Sequence, residues 1–263
     1  MNLESYVSEI KECYKIFGGS KHLFFRGHSK ENYVLKPSVF RNIAYNEKDI
    51  VLDFKQYAPF HKINYNFIDD RDKLLANMQH YEIPTRLLDW TLAPLNALFF
   101  ACKENESENG QVIILDPWKY WKKIVRDSTE KEIHQIHIIS RALLSGGWNF
   151  DKVEKYISSK YGYSDLKVED IDKPFAYISS YINNRILHQR GCFTIHGLCK
   201  TEMDAIPEAV DCIRRIDIDC SNKNTLMQEI NYFYINHYSI FPDFEGMKEM
   251  IKRTGGLFDI KTI

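Results

Sequence analysis

Three groups of polar residues interrupt apolar runs in this chain, and their types point to anion recognition. The first is Arg26, which follows Leu23-Phe24-Phe25 and precedes Gly27. The second is Thr85, Arg86 and Asp89, set around Leu87 and Leu88 and followed by Trp90 and Thr91. The third is Arg185, Gln189 and Arg190, just before Cys192-Phe193-Thr194-Ile195. Guanidinium forks match the geometry of phosphates and carboxylates. If the three groups converge, they form a pocket with several guanidiniums, an amide and a carboxylate. Phe25, Tyr81 and Trp90 would supply apolar or stacking walls. Such a pocket suits a nucleotide or another phosphorylated ligand better than a neutral lipid. His28 and His80 adjoin the groups, and imidazole exchanges protons near neutral pH.

The same residues have a structural reading. Buried charge is costly unless it is paired and hydrogen-bonded. Arg86 and Asp89 flank two leucines, so they are either a structural pair or the floor of a polar site. The apolar setting predicts that Asp89 is largely buried and bonded to Arg26 or Arg86. The cleft reading predicts that Arg26, Arg86 and Gln189 line one cavity. Other chemistries lack their motifs: there is no Gly-x-x-x-x-Gly-Lys-Ser/Thr loop and no Gly-x-Ser-x-Gly elbow. The six cysteines include no Cys-x-x-Cys pair, and no metal site is expected. His134 and His137 are three apart without further ligands in view.

Alternation and helical spacing define the elements that must hold these groups. Leu3, Tyr6, Val7, Ile10, Tyr14 and Phe17 mark an N-terminal helix within 1–19 that ends at Gly18-Gly19. Lys21 to Arg26 reads as a strand, and Asn32 to Arg41 as a short extended piece. Helices are expected over about 46–59 and 70–81. Pro84 closes the second of these. Arg86 to Asp89 reads as a strand end or turn. Thr91 is placed to cap a helix that is apolar all round, Leu92 to Cys102, with Leu95, Leu98 and Phe99 buried. Gln111 to Leu115 is a strand. Residues 118–180 read as a helical insertion. A turn of helix and a strand fall within 182–197, a strand over 212–219, and helices over 225–236 and 247–252. The fold class expected is α+β: a single domain, 1–263, with a short-stranded mixed sheet and packed helices.

Composition narrows the partners. A net charge of −1 lacks the basic excess of a general nucleic-acid coat, though it allows a local basic groove. No run approaches the ~20 apolar residues of a spanning helix, so no membrane partner is expected. The N-terminus has no export-signal pattern, and a reduced, cytoplasmic setting is the simplest expectation.

The motifs resemble the FRG domain family, named for a Phe-Arg-Gly tripeptide that is here Phe25-Arg26-Gly27. A His-Tyr-x-x-Pro-Thr-Arg-Leu-Leu-Asp-Trp-Thr block follows at His80 to Thr91, and an Ala-Leu-Phe-Phe-Ala helix at Ala97 to Ala101. Arg185, Gln189, Gly191 and Phe193 match a later segment, and Phe241 to Gly246 a terminal Phe-Pro-Asp-x-x-Gly. The resemblance spans roughly 20–252 and implies a prokaryotic or viral module with a role in phage–host conflict. The order of motifs is also similar to the Arg, Ser-Thr-Ser and Glu series of ADP-ribosyltransferases, which use NAD. Here Gln189 stands where those enzymes carry glutamate, and an amide cannot act as a base. The two resemblances imply a nucleotide-like ligand with NAD as cofactor. Arg26, Asp89, Gln189 and His80 would be catalytic. Phe25, Gly27, Thr85, Arg86, Trp90, Thr91 and Arg185 would bind the ligand. The alternative is a binding or sensor module for a protein or nucleic acid, without chemistry.

Overall fold

The structure is a computed structural model, and it describes residues 1–20, 22–63, 71–124, 151, 153, 155, 173–178, 181–197 and 200–255. Its strands are β1 (Phe24–His28), β2 (Leu87–Thr91), β3 (Gly110–Leu115), β4 (Phe175–Tyr177), β5 (Gly191–Ile195) and β6 (Ile213–Ile218). They form one six-stranded sheet in the order β4-β5-β2-β1-β3-β6. Every neighbouring pair is antiparallel. The architecture is α+β as expected, but the sheet is not mixed. A strand–helix–strand unit can join parallel neighbours. β2 and β3 do run the same way, yet β1 lies between them and opposes both.

The described helices are α1 (Leu3–Ile16), α2 (Glu47–Tyr57), α3 (Arg71–His80), α4 (Pro94–Cys102), α5 (Pro117–Ile124), α6 (Asn184–His188), α7 (Lys223–Asn231), α8 (His237–Ile240) and α9 (Phe244–Thr254). Asn2 caps α1 with a reciprocal side-chain box, and Asn46, Asn183, Asn236 and Asp243 cap α2, α6, α8 and α9. Thr91 does not cap α4: the cap is Ala93, whose backbone N–H donates to the Thr91 hydroxyl, and Pro94 opens the helix. The piece 32–41 is not a strand; it contains a 3-10 turn at Ser38–Phe40.

The crossover helix α4 explains Gly27. To join β2 to β3 it must pass over β1, which separates them. A Cβ at Gly27 would lie 2.0 Å from the Ala97 carbonyl oxygen and 2.5 Å from the Ala101 nitrogen. Only a residue without a side chain lets the helix backbone come that close. Ala97 and Ala101, both small, form the matching face of α4. Leu98 and Phe99 are fully buried, whereas Leu95 and Phe100 are only partly so. With Phe25, Val112, Ile114 and Ile216 they build one core with α1 and α7. A second core joins Phe24, Leu88, Trp90, Ile113 and Leu115 to α2, α3 and α5.

Of the expected insertion 118–180, most residues fall outside those described, as do His134 and His137. Its described part ends in a strand, β4, rather than a helix. Three residues are too few for alternation to register in sequence. Among the described residues, no helix is long and apolar enough to cross a membrane.

Gly27→Ala should destabilise the protein by about 3 kcal/mol, the upper end for overpacking, because the added methyl meets the backbone of α4, which cannot yield as a side chain would. Urea denaturation measures this, and a loss below about 1 kcal/mol would refute the close crossing.

Candidate functional site

β1 and β2 pair at a single position, Phe25 opposite Thr91, and then part. Where the register would place the next backbone partners, the Arg26 side chain enters instead: its Nη1 donates to the Asp89 carbonyl oxygen at 2.6 Å. Beside this parting lies a cleft of about 330 Å³. Its floor is β1, β2 and β5, and α3 and α6 wall it with Phe100 of α4.

The cleft gathers Phe25, Arg26, Gly27, His80, Asp89, Trp90, Thr91, Arg185 and Gln189 from segments far apart in sequence. Arg26 is half-buried. Its Nε donates to His28 Nε2 at 2.9 Å. Burial lowers the guanidinium to about 10, so it keeps its charge near neutrality. Arg185 donates to the His80 carbonyl and to Glu82, and lies 4.7 Å from the Phe241 ring centroid. His80 has a buried Nδ1 with no hydrogen-bond partner among the described residues. Burial, and then Arg185, shifts its pKa below the ordinary imidazole value. The Thr91 hydroxyl donates to the Gln189 carbonyl, and the Gln189 amide donates to the Ile240 carbonyl. The Trp90 indole is buried and donates to Thr194.

Asp89 differs from expectation. It is exposed to the cleft, not buried, and among the described residues no arginine hydrogen-bonds its carboxylate. Its Oδ2 accepts from Gln79 Nε2 at 2.7 Å. The residue shares the sheet face of Phe193, its partner on β5, which the cleft leaves open. Gln79 was not among the sequence candidates. It immediately precedes the same motif block, in the last turn of α3, and that position before His80 was the only signal.

Arg86 and Thr85 do not line the cleft. Arg86 is 1% exposed and pairs with Glu47, the first residue of α2, which has the same need for a partner. The guanidinium Nε donates to Glu47 Oε2 at 2.8 Å, and the backbone N–H donates to Oε1 at 2.7 Å. The structural reading therefore holds for Arg86, with a partner thirty-nine residues upstream. Thr85 is fully buried, and its hydroxyl donates to Gln79 Oε1.

The fold and cleft define an α+β protein with an arginine-bearing polar cavity where two strands of an open antiparallel sheet part. Residues 21–110 match the family model described as the FRG domain. The match takes in β1, β2, α4 and Gln79. Arg185, Gln189 and the segment Phe241 to Gly246 lie beyond it. No curated protein and no solved structure matches the chain.

Removing Glu47 should leave the Arg86 charge buried. Glu47→Ala is expected to cost about 3–5 kcal/mol in denaturation experiments, against about 1 kcal/mol or less for an exposed pair. A loss under about 1 kcal/mol would refute the account.

Two buried histidines set a pH dependence. His28 is pushed down to about 3 by burial and then by Arg26, Arg215 and Arg41. His196 is pushed down to about 3 by burial and then by Arg86. In the unfolded chain both protonate near 6.5. Between those values the unfolded state binds more protons, so stability is full above about pH 6.5 and falls as pH drops. The urea midpoint should decrease from pH 7 to pH 5, and less steeply in His28→Gln. An unchanged midpoint would contradict this.

Proposed function

We propose that the cleft binds a nucleotide and that the protein is an NAD-using, ADP-ribosyltransferase-like enzyme acting in phage–host conflict. One observation carries the reading. The three motifs that resemble the transferase series stand on β1, on β2 and directly before β5, and these strands are consecutive in the sheet. Arg26, Asp89 with Thr91, and Gln189 therefore share one cavity despite their separation in sequence.

The chemistry of the walls agrees with it. Arg26 and Arg185 offer two guanidiniums to phosphate oxygens. Phe100, the partly exposed ring of the wall, offers aromatic surface to a base or a nicotinamide ring. A cavity of about 330 Å³ falls at the lower end of the range for small-molecule sites. Arg26 is the group best placed for phosphate, since its hydrogen bonds to Asp89 and His28 hold the fork in place.

A specific observation favours the second reading, a binding module without chemistry. Gln189 cannot take a proton, and its amide nitrogen is turned to the Ile240 carbonyl. Exposed Tyr232, Phe233, Tyr234 and Phe244 offer a separate surface for a partner.

NAD labelled in its adenylate half tests the first reading, with released nicotinamide and transferred label as readouts. Arg26→Ala should lower turnover about ten- to a hundredfold, the loss of a hydrogen bond to a charged group, with the protein still folded but its melting temperature somewhat lowered, because the Asp89 carbonyl and His28 lose their donor. Arg26→Lys should recover part of it, since an ammonium lacks the bidentate fork. In phage-challenged cells, Arg26→Ala should abolish the change in plaque number that the intact protein causes. Saturable NAD binding without turnover supports the binding module. Neither binding nor turnover would remove the nucleotide reading.

A further inference from the structure

We infer that Asp89 is the residue by which the cleft recognises a ribose hydroxyl of its ligand, and that Gln79 is its positioning residue. The inference rests on the nucleotide reading above and assigns that site's acceptor.

The argument begins with the hydrogen bonds already made in the cleft. Gln79 is used at both ends: Nε2 donates to Asp89 Oδ2, and Oε1 accepts from Thr85. Thr91 both donates and accepts within the fold. Glu82 pairs with Arg185. Gln189 donates its amide to Ile240. Asp89 Oδ2 is occupied, but among the described residues no donor reaches Oδ1 of this exposed, cleft-lining residue. An exposed carboxylate oxygen with no protein donor is free to exchange its water for a donor of the ligand. Phosphate is excluded beside it by like charge and is left to Arg26 and Arg185. On a nucleotide, the neutral donors nearest a phosphate are the ribose hydroxyls.

The carboxylate is also held in one orientation. The Leu87 N–H donates to Thr85 Oγ1, which donates to Gln79 Oε1, and Gln79 Nε2 donates to Asp89. The chain is directional, so only one orientation of the Gln79 amide satisfies both of its ends. Its root, Thr85, is fully buried and fixed to the start of β2. Below Asp89, the backbone carbonyl is pinned by Arg26. The phosphate-binding guanidinium and the proposed hydroxyl acceptor thus share one residue's backbone, which sets their spacing. This assigns Thr85 a place in the site although it touches no ligand.

The test titrates NAD, and NAD analogues lacking both the 2′- and the 3′-hydroxyl of one or the other ribose, into the full chain by calorimetry. Intact protein should bind one of the two analogues at least about tenfold more weakly than NAD, the loss of one hydrogen bond to a charged acceptor. Asp89→Ala should bind NAD and that analogue alike, both weakly. Asp89→Asn, which keeps the shape and a neutral acceptor, should retain a smaller preference. Gln79→Leu should reduce the preference while changing the affinity for the deoxy analogue little, whereas a merely structural role would weaken both ligands equally. Melting curves establish that each variant is folded; Asp89 is exposed, so they should be close to that of the intact protein. If intact protein binds NAD but distinguishes neither analogue, or if folded Asp89→Ala keeps the tenfold preference, the assignment is wrong and the nucleotide reading stands. If intact protein binds no NAD, both are wrong.

Discussion

The passage of α4 over β1 at Gly27 is the constraint on which the rest of the structure depends. β2 and β3 run in the same direction with β1 between them, so the helix that joins them must cross it. The contact is backbone to backbone, with the Ala97 and Ala101 main chain against the glycine. This crossing fixes β1 as a central strand and sets Arg26 beside β2. It also clears one side of α4, where the partly exposed Phe100 meets the cleft. A similar crowding stands at Gly110, where a Cβ would lie 2.6 Å from the Ala101 carbonyl, so α4 is held close to both β1 and β3.

Charge is divided between two uses. Deep in the fold, each charge is enclosed by its own partners. Arg86 is clamped by Glu47. Lys223, fully buried, donates to the carbonyls of Ser29, Glu104 and Asn105, which ties the start of α7 to the end of β1 and to the loop after α4. At the cleft, by contrast, charges are anchored through backbone carbonyls: Arg26 through Asp89, and Arg185 through His80. An arginine held by a carbonyl keeps its net charge, because the partner is neutral. Arg185 also meets Glu82, but that carboxylate is largely exposed and screened by solvent. The cleft therefore keeps cationic character at Arg26 in a protein whose overall charge is close to zero.

The cleft exists because a ladder is interrupted. Two strands that pair at one position leave backbone groups needing partners, and side chains supply them. Arg26 takes the Asp89 carbonyl, and Thr91 takes the Gln189 carbonyl at the turn into β5. The groups that satisfy the broken ladder are the groups that line the cavity. Arg190, at φ 51, makes the tight turn that returns the chain from α6 to β5 and keeps Gln189 at the rim.

The sequence by itself determined what local patterns determine. The apolar run of α4, the alternation of β6 and the continuous apolar β3 are read from residue types alone, because burial of one face or of all faces leaves a periodic record. The motif blocks also marked most residues that meet at the cleft, since a polar group at the end of an apolar strand is costly unless it is used. Tertiary structure decided the pairings. Nothing near Arg86 announces Glu47, and nothing in Leu-Leu-Asp-Trp separates a buried aspartate from an exposed one. Asp89 is open because α4 covers β1 and leaves that part of β2 uncovered, which depends on strand order. Strand order is set by which chain segments pack together at long range, and no short window of sequence carries that information. For the same reason Gln79 came into view only when the end of α3 was seen above β2.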